Sequence, residues 1–274
     1  MSRRILLSVV LICMLALSAA GLIFLRSEQS REQAAFTSLA AQISSPGEMP
    51  HEPFNISEPQ EVPVPHELSA PALTVFENEE RFAALIAANS DFAAWLRIDG
   101  TAIDYPVMYS PEDPDFYLHH DFAKQESLSG TIYIGNGSSL DSDNMILYGH
   151  NMKNGTMFSD LLRYTDADFC REHRTIEFDT VEESAEYEVL AVFREKVHRQ
   201  DEVGVFRYYN YSGMLTEPDY DAYVQKIKEL SLYDFGCSAV YGEKLVTLST
   251  CAYHTENGRF VVVAVKHTNS DLFK

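Results

Sequence analysis

The sequence predicts a mostly β fold, an eight-stranded and mainly antiparallel barrel with helical insertions, behind an N-terminal transmembrane helix. Three observations predict it: eight short β-rich segments, few helical patterns between them, and one long uncharged run at the start of the chain. Strands alternating regularly with helices would favour a parallel sheet, and that alternation is not found here.

The eight β-rich segments are separated by turn pairs such as Asp99-Gly100 and Asn136-Gly137. The predicted strands are residues 94–98, 105–109, 131–134, 145–148, 175–178, 187–193, 244–250 and 259–266. Apolar residues at helical spacing predict three helices, at residues 77–88, at 157–163 with a continuation toward 172, and at 220–232.

The N-terminal run, residues 5–25, is 21 residues long and carries no charge. As a helix it would measure ~31 Å, about the thickness of a hydrocarbon core. Arg3 and Arg4 precede it and predict a cytoplasmic N-terminus. The alternative is a cleaved signal peptide ending near Ser18-Ala19-Ala20, but residues 22–25 extend the apolar run past that point and favour an uncleaved anchor.

Composition divides the chain into four parts, which are a cytoplasmic tip (1–4), the transmembrane anchor (5–25), an extracytoplasmic stalk (26–74) and a folded domain (75–274). Seven of the 11 prolines fall between Pro46 and Pro71, where no apolar periodicity is found. Such a segment is solvated and semi-rigid, which is typical of a linker.

The net charge of −20 argues against a nucleic-acid-binding surface, which requires basic patches, and favours solubility. The four cysteines lie far apart without a CxxC pair, so a disulfide framework is not expected.

The hairpin formed by residues 244–250 and 259–266 places a thiol beside a guanidinium. Alternation puts Ser249 and Cys251 on one face of the first strand, and the turn pair Asn257-Gly258 precedes Arg259. If the two strands pair, Cys251 and Arg259 are neighbours. A cation beside a thiol favours the nucleophilic thiolate and can stabilise an oxyanion, although most lone cysteines are small buried hydrophobes.

A thiol nucleophile needs an acid and base partner, and His150 is placed best because it follows the apolar strand 145–148. His254, in the hairpin loop, is a candidate modulator. His119-His120 has no acidic or cysteine cluster at ligand spacing and is interpreted as a surface-loop pair, so no metal site is predicted.

Together these motifs resemble those of sortases, the membrane-anchored cysteine transpeptidases of Gram-positive bacteria. TLSTC at 247–251 is similar to their TLxTC motif, YGHNM at 148–152 to the histidine segment of class B, and Arg259 to their arginine. Further similar segments are residues 89–107, 115–136, 158–161 and 220–232, within a resemblance covering roughly 76–268.

The resemblance implies an eight-stranded sortase-type barrel whose catalytic residues are Cys251, His150 and Arg259, with Ser249 and Thr250 at the substrate. It implies cleavage of a sorting signal after Thr through a Cys251 thioester. The Thr carbonyl would then be transferred to an amine of a peptidoglycan precursor or a pilin. The partners are surface proteins bearing a C-terminal sorting signal, and no cofactor is implied.

The location implied is the cell membrane, with a single span and an extracytoplasmic catalytic domain. One departure from the pattern concerns the second position after the cysteine, which is acidic in some class B members and is Tyr253 here. A Cys–His–Asp triad therefore lacks its nearest candidate.

Three alternatives belong to other classes. The first is a non-catalytic, membrane-anchored surface domain, an adhesin or wall-assembly scaffold, with Cys251 buried and inert. A papain-like hydrolase is disfavoured because His150 precedes Cys251 in the chain. Asp141, Asp143 and Asn144 resemble the start of a calcium loop, but the required glycine and glutamate do not follow, which indicates a solvated turn.

Overall fold

A computed structural model describes residues 3–44 and 70–266. Eight strands close into a barrel in the order β1-β2-β3-β4-β7-β8-β6-β5. Their bounds are β1 Phe92–Arg97, β2 Asp104–Met108, β3 Ile132–Ile134, β4 Asn144–Tyr148, β5 Thr175–Thr180, β6 Ser184–Lys196, β7 Lys244–Cys251 and β8 Gly258–Lys266. The eight-stranded barrel predicted from the sequence is confirmed.

Pairing within the barrel is mixed. β2 runs parallel to β3 and β4 runs parallel to β7, whereas the other neighbouring strands are antiparallel. In the parallel pair β4–β7 both strands end at the same edge of the barrel. The residues that follow the two strands are therefore brought close together.

Four α-helices accompany the barrel in the part of the chain that the structure describes. They are α1 Arg3–Ser44, α2 Ala70–Ala88, α3 Ala167–Glu172 and α4 Glu217–Leu230. The helix expected from 157 toward 172 is divided in two, a 3₁₀ helix at Phe158–Thr165 and then α3. The break falls at Asp166, whose extended backbone lets its carboxylate cap the amides of Asp168 and Phe169.

Alternation along β7 separates a buried interior from an outward surface. Val246 and Leu248 point into the main core of the barrel, whereas Leu245 packs in a second cluster beneath α4. The hydroxyl of Thr247, on the outward face, lies 3.0 Å from that of Tyr223 on α4. Cys251 lies four residues after Thr247 and therefore faces outward as well, so its side chain points toward solvent at the end of the strand.

Helix α1 is continuous from Arg3 to Ser44 and contains a stretch, Ile12–Ser44, long and apolar enough to cross a membrane. Its C-terminal part packs on the barrel through buried Phe36, whose ring meets that of Tyr105 edge-on at 5.3 Å. The predicted stalk, 26–74, is thus helical up to Ser44 and again from Ala70, and its proline-rich residues 45–69 lie outside the described residues.

Candidate active site

A cleft of ≈ 550 Å³ opens on the outer face of the barrel, where β4 and β7 end. All five site residues predicted from the sequence line it, namely His150, Ser249, Thr250, Cys251 and Arg259. The structure therefore brings together side chains from three strand ends that are distant in the chain.

Cys251 and Arg259 are direct partners in the antiparallel register of β7 with β8. Opposed residues in such a pair have Cα atoms about 4.5–5.5 Å apart. The hairpin closes through a backbone bond from the Ala252 amide to the Gly258 carbonyl, at 3.0 Å, and Asn257 takes a positive φ of 56° in the turn. The register expected from the sequence is confirmed, and both side chains are half-buried.

His150 reaches the same place by the parallel pairing of β4 with β7. Tyr148 pairs with Ser249 in that register. His150 and Cys251 each follow two residues later, so the same register brings them side by side at the cleft. The Nε2 atom of His150 lies 2.9 Å from the carbonyl oxygen of Leu118. A carbonyl only accepts hydrogen bonds, so Nε2 carries a proton and Nδ1 is left as the nitrogen that exchanges one.

A backbone carbonyl therefore fixes the imidazole orientation, in a site whose sequence lacks the acidic residue found in some related proteins. Tyr253, which occupies that position, is 79% exposed and projects from the hairpin loop. Every residue has a backbone carbonyl, so the sequence does not indicate that the carbonyl of Leu118 orients His150.

Three hydrogen bonds tie the histidine segment to the cysteine strand. The Thr250 hydroxyl donates to the Gly149 carbonyl at 2.7 Å, and the Gly149 amide donates to the Ser249 carbonyl at 3.3 Å. The Asn151 side-chain amide donates to the Cys251 carbonyl at 3.0 Å. Gly149 has no room for a β-carbon, which would lie 2.4 Å from Ile132. Strand register and these ties, two of them made by side chains, fix the ends of β4 and β7 against each other and so position nucleophile and base.

Asn151 is a functional candidate that the sequence reasoning missed. Its position directly after His150 was the available signal, since a polar side chain at the end of β4 reaches the neighbouring end of β7.

Ser249 and Thr250, predicted to contact substrate, line the cleft with buried hydroxyls that already have protein partners. The Ser249 hydroxyl lies 2.7 Å from the phenol of Tyr208, and that of Thr250 is engaged by Gly149. Substrate contact by these two residues stays a prediction.

The electrostatics of the cleft are dominated by one cation among phenols. Among the described lining residues, Arg259 is the permanent cation and Asp115 the carboxylate. Burial raises the pKa of Tyr148 to about 12, while the nearby charge of Arg259 opposes that rise. Burial likewise raises the pKa of Tyr133 and of Tyr208. The phenols consequently remain protonated, and Arg259 is a cation available to a developing negative charge.

Two loops form the walls of the cleft. The first wall, residues 109–131, joins β2 to β3 and supplies Asp115 and Leu118; the second wall, residues 197–216, joins β6 to α4 and supplies Tyr208 and Asn210. Each wall is held by side-chain contacts together with an isolated backbone bridge, between His120 and Glu126 in the first wall and between Asn144 and Gly213 in the second. In the first wall, the Tyr117 phenol accepts from the Asn89 amide and donates to Asp91, at 2.8 Å each.

The second wall is fastened at both ends. Near its start, His198 lies between Glu195 and Glu202, with ring nitrogens 3.1 and 3.0 Å from their carboxylates. The hydrogen bond from His198 lowers the pKa of Glu202 to about 2. Near its end, the Asn144 side chain donates to the Tyr211 carbonyl at 2.7 Å.

No group of three or more His, Cys, Asp or Glu side chains able to hold a metal ion is found among the residues that the structure describes. Asp141 and Asp143, weighed above as a calcium loop, belong to a turn in which Lys244 contacts the Asp143 carboxylate at 3.1 Å.

Comparison with known proteins places this geometry in a family. The model of the sortase domain matches residues 96–267. Sortase B of Listeria monocytogenes is 35% identical over 178 residues, which cover 64% of this chain and 69% of that protein.

Solved structures agree. An X-ray structure of Clostridium perfringens sortase B is 30% identical, with a TM-score of 0.61 over 68% of this chain and 99% of that one. A Staphylococcus aureus sortase B–substrate complex has a TM-score of 0.68, at 23% identity, over 89% of this chain and 100% of that one, which supports the fold.

Proposed function

We propose that Cys251, His150 and Arg259 carry the reaction of this chain, which belongs to the sortase family and is a class B cysteine transpeptidase. The observation that supports the assignment is the convergence of the three side chains in one cleft, with Cys251 and Arg259 directly paired across the hairpin. The alternative of an inert surface domain does not account for a half-buried thiol between a base and a cation.

In the first half-reaction the Cys251 thiolate attacks the scissile carbonyl of a sorting signal. The tetrahedral oxyanion takes hydrogen bonds from Arg259, the cation of the cleft. His150, as the imidazolium, gives the Nδ1 proton to the departing amine while Nε2 stays bonded to Leu118. The C–N bond breaks, and a thioester on Cys251 remains with a neutral His150.

In the second half-reaction an acceptor amine attacks the thioester, and Arg259 again stabilises the oxyanion. His150 takes a proton from the attacking nitrogen, and Cys251 leaves as the thiolate. The strand ties at Gly149 and Asn151 keep the sulfur and the ring at constant separation through both steps.

The substrates follow from the family. The donor is a surface protein with a C-terminal sorting signal cut after Thr, and the acceptor is an amine of a peptidoglycan precursor or of a pilin. The S. aureus relative is described in complex with a substrate. Ser249 and Thr250 lie at the floor of the cleft beside Cys251, where we place the Thr of the signal.

The location we propose is the cell membrane, with residues 5–25 of α1 as a single span, 1–4 in the cytoplasm and 75–274 as the extracytoplasmic catalytic domain. The apolar stretch within α1 supports it, since its most apolar 18-residue window contains no buried residue, as does the basic pair Arg3 and Arg4 before it.

The test is acylation of the full chain in detergent by a Thr-containing sorting peptide, followed by mass spectrometry. The wild type should gain the mass of the peptide up to Thr, and Cys251→Ala should gain none, with a loss of turnover of at least ~10⁴-fold. Cys237→Ala, a matched thiol outside the cleft, should behave as the wild type. Turnover retained by Cys251→Ala would refute the assignment.

A further inference from the structure

In the transfer step the acceptor nitrogen loses two protons, and His150 can accept only one of them. At neutral pH an acceptor amine arrives as an ammonium ion, because the pKa of an amino group is about 8 to 10. Forming the amide removes two protons from that nitrogen. His150 starts the step neutral and ends it as imidazolium, so it removes one proton, and the departing Cys251 thiolate removes none. The remaining proton must leave the nitrogen before it attacks, either to water or, faster, to a second base on the protein.

The described lining of the cleft offers no such base. Asp115 is a carboxylate, and a carboxylate is too weak a base to deprotonate an ammonium ion efficiently. The phenols, such as Tyr148 with its pKa raised to about 12 by burial, already hold their protons. Arg259 keeps its charge and accepts nothing.

A second imidazole stands at the edge of the cleft. The ring of His119 is exposed, and its centroid lies 6.1 Å from that of His150 with 36° between the ring planes. A general base acts on a proton within hydrogen-bond reach or through one water molecule, and the His119 ring lies close enough to His150 to share an acceptor group with it. The wall holds His119 in place, because its carbonyl accepts from the Ser127 amide at 2.8 Å.

The same turn serves both imidazoles. Leu118 binds Nε2 of His150 through its carbonyl, and the next residue presents the His119 ring. The neighbouring His120 is occupied differently, since its Nδ1 lies 2.7 Å from the Phe116 carbonyl and its ring stacks on that of Phe116 at 3.8 Å.

We propose that His119 is the second base of the transfer step. It accepts the first proton of the acceptor ammonium and releases it to bulk water, after which the free amine attacks the thioester and gives its second proton to His150. The balance closes, since an ammonium ion and a neutral enzyme thioester give an amide, a thiolate, an imidazolium and one proton in water. The proposal rests on the function proposed above.

The charged and titratable groups around His119 are known. Its own loop, residues 109–131, carries these charged and titratable residues: Tyr109, Glu112, Asp113, Asp115, Tyr117, His120, Asp121, Lys124 and Glu126. Across the cleft they are His150, Cys251 and Arg259, at the ends of β4, β7 and β8. Glu32 of α1 reaches the same loop, where its carboxylate accepts from the Ser129 hydroxyl at 2.7 Å.

The test varies the basicity of the acceptor in the variant His119→Ala, using the full chain in detergent at pH 7. Three small nucleophiles are compared: hydroxylamine, which is a free base at this pH, then glycinamide and Nα-acetyl-lysine amide. Transfer to the lysine amine should fall at least ~10-fold, as for loss of a general base, and glycinamide should show a smaller loss. Transfer to hydroxylamine and acylation of Cys251 should stay within about twofold of the wild type. Added imidazole should restore the lysine reaction.

The matched control is His173→Ala, which removes an imidazole that does not line the cleft and whose Nδ1 lies 2.7 Å from the Asp99 carbonyl oxygen, and it should leave all three reactions unchanged. Equal losses with all nucleophiles would assign His119 a merely structural role and overturn the proposal, as would no loss with the lysine amine. Acylation of Cys251 is measured separately, so a failure of the function itself would appear there and not in the transfer ratios.

Discussion

The floor of the cleft and its two walls are built by different means. The floor is made of strand ends, where sheet register fixes Cys251 against Arg259 and brings His150 beside them. The walls are loops, fastened by side-chain clusters such as His198 with Glu195 and Glu202. This difference shows that strand register positions the reacting groups, whereas the shape of the cleft depends on side-chain contacts in its two walls.

After loss of the Cys251 nucleophile itself, the largest effect should come from Arg259, which also lies on the floor. Arg259→Ala removes the donor to the oxyanion, and we expect kcat to fall at least ~100-fold, with a smaller loss in Arg259→Lys because a point charge replaces the guanidinium fork. Steady-state kinetics on a sorting peptide measure it. Arg171→Ala, which removes an exposed arginine paired with Asp168, is the control. A change confined to KM would contradict the role in the transition state.

A smaller loss is expected at Asn151, which connects the two strand ends. Asn151→Ala frees the Cys251 carbonyl, but the Thr250 bond to Gly149 and the sheet register remain, so we expect kcat to fall about 10-fold. The control is Asn154→Ala, in the same loop, whose side chain contacts Thr156. An unchanged kcat would show that the sheet alone positions the sulfur.

The contrast between floor and walls also explains what the sequence could predict. Alternation in 244–250 and the turn pair Asn257-Gly258 were enough to place Cys251 beside Arg259, because a hairpin is local. The parallel pairing of β4 with β7 joins segments about 100 residues apart and leaves no local pattern. The sequence therefore predicted a mainly antiparallel barrel and located His150 only as the end of a strand.

The roles of the wall residues could not be predicted from the sequence for a different reason. The group that orients His150 is the carbonyl of Leu118, and every residue has a carbonyl. His119 was interpreted as part of a surface pair, since its approach to His150 depends on the fold of a whole loop.

At the second wall, we expect a change in substrate binding without a change in chemistry. Glu202→Gln weakens the contact with His198, and KM for the sorting peptide should rise about threefold while kcat stays within about twofold, because the loop carries Tyr208 and Asn210 but none of the reacting groups. Asp201→Asn, on the same loop and paired with Arg199 in solvent, is the control. A fall in kcat with constant KM would mean that this wall positions the floor.

The same contact has a pH signature. The folded-state pKa of Glu202 is lowered from 4.5 to about 2, so its stabilising effect is present above pH 4.5 and is lost as the pH falls toward 2. The urea midpoint of the wild type should exceed that of Glu202→Gln above pH 5, and the two should converge on acidification. A difference that is undiminished at pH 2 would contradict the pKa shift.

The smallest effect on turnover is expected where α1 meets the domain. Phe36 is 4% exposed and packs edge-on against Tyr105, and Ile43 joins the cluster of Phe82 and Leu85. Phe36→Ala should lower the free energy of unfolding by about 3 kcal/mol, as for removal of a buried aromatic ring. Helix α1 contacts the first wall through the hydrogen bond between Glu32 and Ser129 and through Ile43, which packs in one cluster with Tyr117 and Phe122. No described residue of α1 lines the cleft, so kcat and KM for a soluble peptide should both stay within about twofold.

Thermal unfolding and peptide kinetics on the same samples separate these two outcomes, and Phe24→Ala, in the exposed apolar span, is the matched control for loss of a ring without loss of packing. A large fall in kcat for Phe36→Ala at temperatures where the variant is folded would show that the helix sets the geometry of the floor. The floor would then depend on the packing of α1 as well as on strand register. The contrast between a floor positioned by strand register and walls held by side-chain contacts would not apply at this contact.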